Sequence, residues 1–180
     1  MRKYIGLGLL TLMLLLPACD GNTPLMKASM RGQLAKIHHL AKTGGDINAQ
    51  NNFGWTALAL AAKSGYLDIA AALIQQGAKV DLADHNGFTP LIRASFHGYD
   101  KIVTLLLDHG AKINAVSSEA WTALMWAASK GQRETVAVLL KRGAEVSLKN
   151  NQGQTAILLA FTAGEQEIVL LLEQHGARLQ

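Results

Sequence analysis

The feature that most constrains this chain is an internal repeat with a period of 33 residues. Five related strings begin at Gly21, Gly54, Gly87, Ala120 and Gly153, and they read GNTPLMKASMRG, GWTALALAAKSG, GFTPLIRASFHG, AWTALMWAASKG and GQTAILLAFTAG. They follow one another without insertion or deletion, so equivalent residues stay in phase. A fixed period of this length predicts a solenoid whose units pack mainly on their two neighbours.

Each unit carries the signals of two short helices joined by tight turns. Thr56 and its equivalents can cap the first helix by accepting a hydrogen bond from an unpaired backbone N–H. Pro24 and Pro90 then occupy the first helical position, where the missing N–H costs nothing. Apolar residues such as Leu58 form the buried side of this helix. The second helix of the same unit is expected over roughly 67–76. Of the 15 glycines after Cys19, all but one recur in three fixed phases at the predicted helix and turn ends.

These residues resemble the ankyrin repeat, whose period and Thr-Pro-Leu-His signature the chain matches except at the histidine. The resemblance covers residues 21–180 and implies an all-α solenoid of about five stacked helix-turn-helix units with projecting β-turns. The predicted units are 21–53, 54–86, 87–119, 120–152 and 153–180. Apolar residues stand where the signature has histidine: Met26, Ala59, Ile92, Met125 and Leu158. Glu173 occupies a position that is apolar in the three preceding units, and it predicts a C-terminal cap.

The first 18 residues are expected to be a targeting segment. A basic start precedes an uncharged, leucine-rich run over 5–16, which is too short for a stable transmembrane helix. The string LPAC at 16–19 resembles a bacterial lipobox, in which Cys19, the chain's sole cysteine, becomes the acylated first residue. We therefore expect 1–18 to be a lipoprotein signal peptide that is removed, and 19–20 to be a lipidated cysteine with a minimal linker. The alternative is a conventional cleavage that leaves Cys19 an ordinary residue.

Asp20 bears on the location of the protein. In lipoproteins of enteric-type bacteria, an aspartate after the lipidated cysteine favours retention in the inner membrane. The resemblance therefore implies a lipid-anchored protein on the periplasmic face of the bacterial cell envelope, with the outer membrane left open. The alternative is that Asp20 is a polar residue that only opens the domain.

The charge balance argues against a nucleic-acid partner. A net charge of +4 and a pI of about 9.3 are typical of nucleic-acid-binding domains. Removal of Arg2 and Lys3 from the 17 basic residues leaves 15, against 13 acidic ones. The remaining basic residues, such as Lys130 and Lys141, alternate with Glu134 and Glu145 as on a solvated surface. We therefore expect no binding to nucleic acid.

No residue pattern in the sequence points to catalysis. The chain has no G-x-S-x-G elbow, Walker loop or H-E-x-x-H helix, and one cysteine excludes a multi-cysteine metal site. His38 and His39 are adjacent on a helix and point in different directions. His85 and His97 share a unit but lack an obvious third ligand. We expect no enzyme activity, no metal and no cofactor, and a metal-dependent enzyme using His85 and His97 stays the less favoured alternative.

The positions that the scaffold leaves free predict a binding surface. The resemblance implies that a protein partner docks on the turn tips and on the concave face of the first helices. Six of the seven Phe and Trp residues fall there, and Phe161 is the exception. The predicted partner-binding residues are Phe53, Trp55, His85, Phe88, Arg93, Phe96, His97, Trp121, Trp126 and Lys130. An exposed aromatic strip of this size usually marks a binding surface. The alternative is that Trp55, Phe88 and Trp121 pack along the turns and stabilise the array.

The sequence therefore predicts a membrane-anchored periplasmic module that binds another protein. Small bacterial ankyrin lipoproteins that it resembles serve as immunity proteins for secreted effectors or as accessory proteins in envelope oxidative defence. Both roles stay open, and a passive structural protein of the envelope is the alternative.

Overall fold

A computed structural model describes residues 20–179, and the predicted signal peptide and Cys19 lie outside these residues. Regular secondary structure within 20–179 consists of ten short α-helices in five successive pairs, so the predicted all-α solenoid of helix-turn-helix units is confirmed. The first helices of the pairs are α1 (Pro24–Met30), α3 (Ala57–Ser64), α5 (Pro90–His97), α7 (Ala123–Ser129) and α9 (Ala156–Ala163). The second helices are α2 (Leu34–Lys42), α4 (Leu67–Gln75), α6 (Asp100–Asp108), α8 (Arg133–Lys141) and α10 (Gln166–Gln174).

The helices form two layers. Each first helix packs on the first helix of the next unit, and each second helix packs on the next second helix. The two helices of a pair also pack on each other, so the buried residues form one continuous core from Leu25 to Ala177. In the last four units a fully buried leucine recurs at the same position, at Leu73, Leu106, Leu139 and Leu172. None of the helices between residues 20 and 179 is both long and apolar enough to cross a lipid bilayer.

Threonine side chains begin four of the five first helices. The Oγ1 atoms of Thr23, Thr56, Thr89 and Thr122 each accept a hydrogen bond from a backbone N–H three residues on, at 3.0 to 3.3 Å. The same prediction for Thr155 is wrong, because its side chain makes no capping bond. Thr155 is half-buried, so water can satisfy the free N–H groups at the start of α9.

The residues that replace the signature histidine are mostly buried. Met26, Ala59, Ile92 and Met125 are buried, whereas Leu158 in the last unit is half-buried. Met26 also takes part in capping, since its Sδ accepts a hydrogen bond from the Thr23 N–H at 3.4 Å. Apolar packing therefore replaces the polar role of the histidine at this position, as expected.

Each projecting tip is a tight turn closed by its own backbone and by one side chain. In the tip that precedes α3, the Asn51 N–H donates to the Trp55 carbonyl at 3.0 Å, and the Gly54 N–H donates to the Asn51 carbonyl at 2.9 Å. The Asn51 side-chain oxygen accepts from the N–H groups of Phe53 and Trp55, both at 2.9 Å. Asp84 and Asn150 make the same pair of bonds in their units.

Main-chain hydrogen bonds also join neighbouring tips. The His85 N–H donates to the Phe53 carbonyl at 3.1 Å, and the Ser118 N–H donates to the Asn86 carbonyl at 2.9 Å. The Asn151 N–H continues the series to the Glu119 carbonyl at 3.1 Å. These bonds hold successive tips in one register, so side chains at the tips keep a fixed relation to the first helices below them.

The polar side chains at the two ends of the array are exposed. The exposed polar residues on α2 of the first unit are Lys36, His38, His39 and Lys42. Glu173 on α10 is exposed at a position where Leu140 is buried, as a solubilising cap requires. His109 and His175 are also exposed, and each Nδ1 lies within 2.9 Å of a carbonyl of its own helix.

Ala120 breaks the glycine pattern of the tips. Its φ is +60°, in the left-handed region, where the equivalent Gly87 has +76° and Gly153 has +75°. A Cβ at Gly87 would lie 2.9 Å from the backbone nitrogen of Ser118, so glycine is needed there for space as well as for φ. An L-residue with a Cβ in this region is strained by roughly 1–2 kcal/mol.

We expect Ala120→Gly to raise the free energy of unfolding by about 0.5–1 kcal/mol, measured by urea denaturation. The strain that is removed exceeds the conformational entropy that glycine adds to the unfolded chain. Gly153→Ala is the matched control, because a Cβ there meets no atom within 4 Å and only the backbone term changes. Gly153→Ala should lower the free energy of unfolding by a similar amount. A lower free energy of unfolding for Ala120→Gly would contradict the proposed strain at Ala120.

Candidate binding face

Rings and cations meet where the tips join the first helices of the second, third and fourth units. We call this group the cation–aromatic stack, and its members are Trp55, Lys63, Phe88, Arg93, Phe96, Trp121, Trp126 and Lys130. These residues come from three tips and three first helices, which the repeat period brings side by side. The stack is therefore a surface that no single unit contains.

Arg93 lies at the centre of the stack. Its guanidinium lies 4.2 Å from the ring centroid of Trp55 and 4.1 Å from that of Phe88, so two aromatic faces enclose it. The same guanidinium forms a salt bridge with the carboxylate of Asp84. The Asp84 side chain is 2% exposed and that of Arg93 is 19% exposed. Because Asp84 also accepts the turn hydrogen bonds of its tip, this one carboxylate connects the tip to the first helix.

Trp126 connects the remaining rings. Its centroid lies 4.3 Å from that of Trp121, 5.2 Å from that of Phe96 and 5.6 Å from that of Phe88. Tilted aromatic pairs at such distances add about 0.5–1.5 kcal/mol each beyond the area that they bury. The indole N–H groups of Trp121 and Trp126 are buried, and neither has a hydrogen-bond partner among the described residues. The rings are thus held by packing rather than by polar contacts.

Two lysines flank the stack. The Lys63 Nζ lies 4.9 Å from the centroid of Trp55, and the Lys130 Nζ lies 5.1 Å from that of Phe96. Both lysines are exposed, and within residues 20–179 neither forms a salt bridge with a carboxylate. Cation–π contacts at exposed sites contribute only about 0.5–1 kcal/mol, so these ammonium groups stay available to another charge.

His97 lies beside the stack. Its ring lies 4.9 Å from that of Phe96 in an edge contact and stacks on Tyr99 at 5.8 Å. Partial burial lowers the pKa of His97, and the positive charges of Lys63 and Arg93 lower it further. The imidazole is therefore more readily neutral than an ordinary histidine, and the local potential is positive.

The structure brings most of the predicted partner-binding residues together. Seven of the ten belong to the cation–aromatic stack, His97 adjoins it, and Phe53 and His85 are exposed on neighbouring tips. The prediction of an exposed aromatic strip needs correction, because the five rings of the stack are half-buried, all but Phe96 against the core, and among the six predicted Phe and Trp residues only Phe53 is exposed, at 59%. Packing along the turns, which was the alternative, thus applies to these rings, and their role in binding stays a prediction.

Asp84 and Lys63 were not among the residues that the sequence predicts for the site. Asp84 occupies the phase of Asn51, Ser117 and Asn150, so it resembles an ordinary turn residue. Its distinguishing signal is the arginine nine residues later, which no other unit has at that position.

Asp20 has structural partners of its own. Its carboxylate accepts hydrogen bonds from the backbone N–H of Asn22 at 2.9 Å and from the Asn22 side-chain amide at 2.6 Å. Its carbonyl accepts from the Asn52 N–H at 3.3 Å. These contacts agree with the alternative in which Asp20 opens the domain, while its sorting role stays a prediction.

The metal alternative gains no support from the geometry. The ring of His97 contacts Phe96 and Tyr99, and the ring of His85 is exposed on its tip. In the described part of the chain, no three His, Cys, Asp or Glu residues are grouped so that they could hold a metal ion.

Comparison with known proteins agrees with this architecture. The family model described as ankyrin repeats (3 copies) matches residues 25–117 and 114–180. Two ankyrin repeat proteins of Rickettsia felis are each 46% identical to this chain over 48 residues. The matched stretch is 27% of this chain and covers 76% and 73% of the two relatives.

We expect Asp84→Asn to lower the free energy of unfolding by about 2–3 kcal/mol in urea denaturation. The amide keeps the turn hydrogen bonds but leaves the largely buried Arg93 without its counter-charge. Asp108→Asn is the matched control, because Asp108 pairs with Arg142 at 2.5 Å in an exposed salt bridge. This substitution should lower the free energy of unfolding by less than about 1 kcal/mol. Equal, small effects of the two substitutions would show that the Asp84–Arg93 pair does not stabilise the fold.

Proposed function

Because the chain belongs to the ankyrin repeat family, we propose that it is a protein–protein interaction module whose binding face is the cation–aromatic stack with its adjoining tips. Ankyrin repeats are typically non-enzymatic interaction modules, and we extend that to this chain. The observation that carries the proposal is the contact of Arg93 with Trp55, Phe88 and Asp84. These contacts hold the rings of two neighbouring units, Trp55 and Phe88, in one surface in the absence of a partner.

Preorganisation favours binding at this surface. Trp, Tyr and Arg side chains are enriched among the residues that contribute most of the binding energy in protein interfaces. Each flexible side chain that is ordered on association costs about 0.5–1.5 kcal/mol. In the cation–aromatic stack, Arg93 and Trp126 are already held by several neighbours, so a partner would not have to order them.

A passive structural role is the second candidate. The half-burial of Trp55, Phe88 and Trp121 favours it, since rings that pack on the core stabilise the array with or without a partner. The two candidates differ in what they imply for Phe53, which is exposed and adds little to the core. A binding role gives the exposed part of this side chain a contact, and a passive role requires none.

We further propose that the module is tethered to the bacterial envelope through acylated Cys19 and faces the periplasm, with the inner membrane favoured by Asp20. The pattern of residues 1–19 supports this proposal. Asp20 already contacts the tip residue Asn52, so the array begins one residue after the anchor. A partner is then a membrane-associated protein or an incoming effector, which fits both an immunity role and a role in envelope oxidative defence.

Site-specific photo-crosslinking tests the binding face in living cells. A benzophenone amino acid replaces Phe53 in the full chain and, as the matched control, Phe161, which is 56% exposed but lies on α9 outside the cation–aromatic stack. We expect a discrete heavier adduct on immunoblots from position 53 and none from position 161. An adduct from 161 alone contradicts the proposed face, and the absence of adducts from both positions favours the passive role.

The lipid anchor has its own test. We expect Cys19→Ser to leave the precursor uncleaved or to release the chain from the membrane fraction, because serine offers no thiol for acylation. Mass spectrometry of the wild type should show an acylated N-terminal cysteine, and Ala18→Ser, which keeps the thiol, serves as the control. Membrane retention of a cleaved Cys19→Ser protein would argue against the anchor.

A further inference from the structure

The two helix layers differ in charge. Basic residues on the first helices and at their C-terminal caps are Lys27, Arg31, Lys63, Arg93 and Lys130, and these segments contain no Asp or Glu. The second helices carry both signs, with acidic residues at Asp68, Asp100, Asp108, Glu134, Glu167 and Glu173. The layer that bears the cation–aromatic stack is therefore positive, although the mature chain as a whole is close to neutral.

Salt bridges within residues 20–179 involve arginines of both layers, and the exposed lysines of both layers form none. On the second helices, Arg133 pairs with Glu134 and Glu167 at 3.5 and 3.1 Å. On the first helices, only Arg93 forms a salt bridge within residues 20–179, and its partner Asp84 is buried. Lys63 and Lys130 are exposed at the edges of the stack without a carboxylate. The exposed carboxylate of Glu119 lies on the tip that precedes α7. Its single negative charge does not balance the positive charges of both lysines.

From this complementarity we propose that the occupant of the cation–aromatic stack is an acidic polypeptide segment in which carboxylates flank apolar side chains. This inference rests on the proposed function, since it names the class of partner for the same face. Apolar side chains of the segment contact the half-buried rings, and its carboxylates pair with Lys63 and Lys130. The pKa of His97 is lowered first by burial and then by the positive charges of Lys63 and Arg93, and the second contribution agrees with a positive face.

A polypeptide fits this face better than a nucleic acid does. Sequence-independent nucleic-acid binding depends on neutralising many phosphates, commonly about six to ten. The stack offers two exposed lysines at its ends, and the rings between them are half-buried rather than free to intercalate or stack with bases. Two charges that flank an apolar centre match a short acidic motif instead.

A peptide selection tests the inference directly. Random 12-residue peptides are selected by display on the full-length protein in a mild detergent. The same selection is run on Lys63→Gln/Lys130→Gln and on Lys101→Gln/Lys141→Gln, which removes two exposed lysines from the second helices. We expect peptides rich in Asp and Glu from the wild type and from the second-helix control. Their affinity for Lys63→Gln/Lys130→Gln should fall about fivefold, as the loss of two exposed ion pairs predicts.

An NMR readout places the bound peptide. On addition of a selected peptide, the ring resonances of His97 should shift, because His97 adjoins the cation–aromatic stack. Phe53→Ala should weaken the same peptide, whereas Phe161→Ala should not. Neutral or basic peptides that depend on Phe53 would overturn the acidic partner and leave the proposed function standing. Tighter binding of a 20-base-pair DNA duplex than of any peptide would overturn the inference, and peptides indifferent to Phe53 would overturn the proposed face itself.

Discussion

The fold depends on one constraint, which is that a pair of short helices cannot bury both of its apolar sides. Each unit must therefore stack on its neighbours in a fixed register, and one core runs from Leu25 to Ala177. The tip hydrogen bonds, such as that from the His85 N–H to the Phe53 carbonyl, repeat the same register outside the core. As a result, residues 33 positions apart in the sequence become neighbours on one surface.

That register creates the candidate binding face. Arg93 on α5 reaches Trp55 of the preceding unit and Phe88 of its own, and Asp84 supplies the counter-charge. The buried pair and the enclosing rings make the centre of the face neutral and rigid, while the lysines at its edges make its rim positive. The proposed recognition would thus use side chains that also stabilise the array, since the preformed surface comes from the packing that holds the units together.

Most of the fold could be predicted from the sequence, because period, threonine caps and glycine phases are local signals that all five units repeat. The candidate site could be predicted only in part. The positions of six aromatic residues followed from their phase, but their half-burial depends on side chains from adjacent units, such as Arg93 against Trp55. Asp84 was missed since its phase also holds Asn and Ser, and the missing cap at Thr155 has no signal in the sequence, which keeps the threonine of the other units.

The most direct measurement of the central claim is hydroxyl-radical footprinting of the protein with and without a bound partner. Radicals oxidise aromatic side chains at rates that follow their exposure to solvent, so each ring reports its own contact. Binding at the cation–aromatic stack predicts that oxidation of Phe53 and Trp55 slows several-fold while that of Phe161 is unchanged. Protection of Phe161 with unchanged oxidation of Phe53 and Trp55 would contradict it.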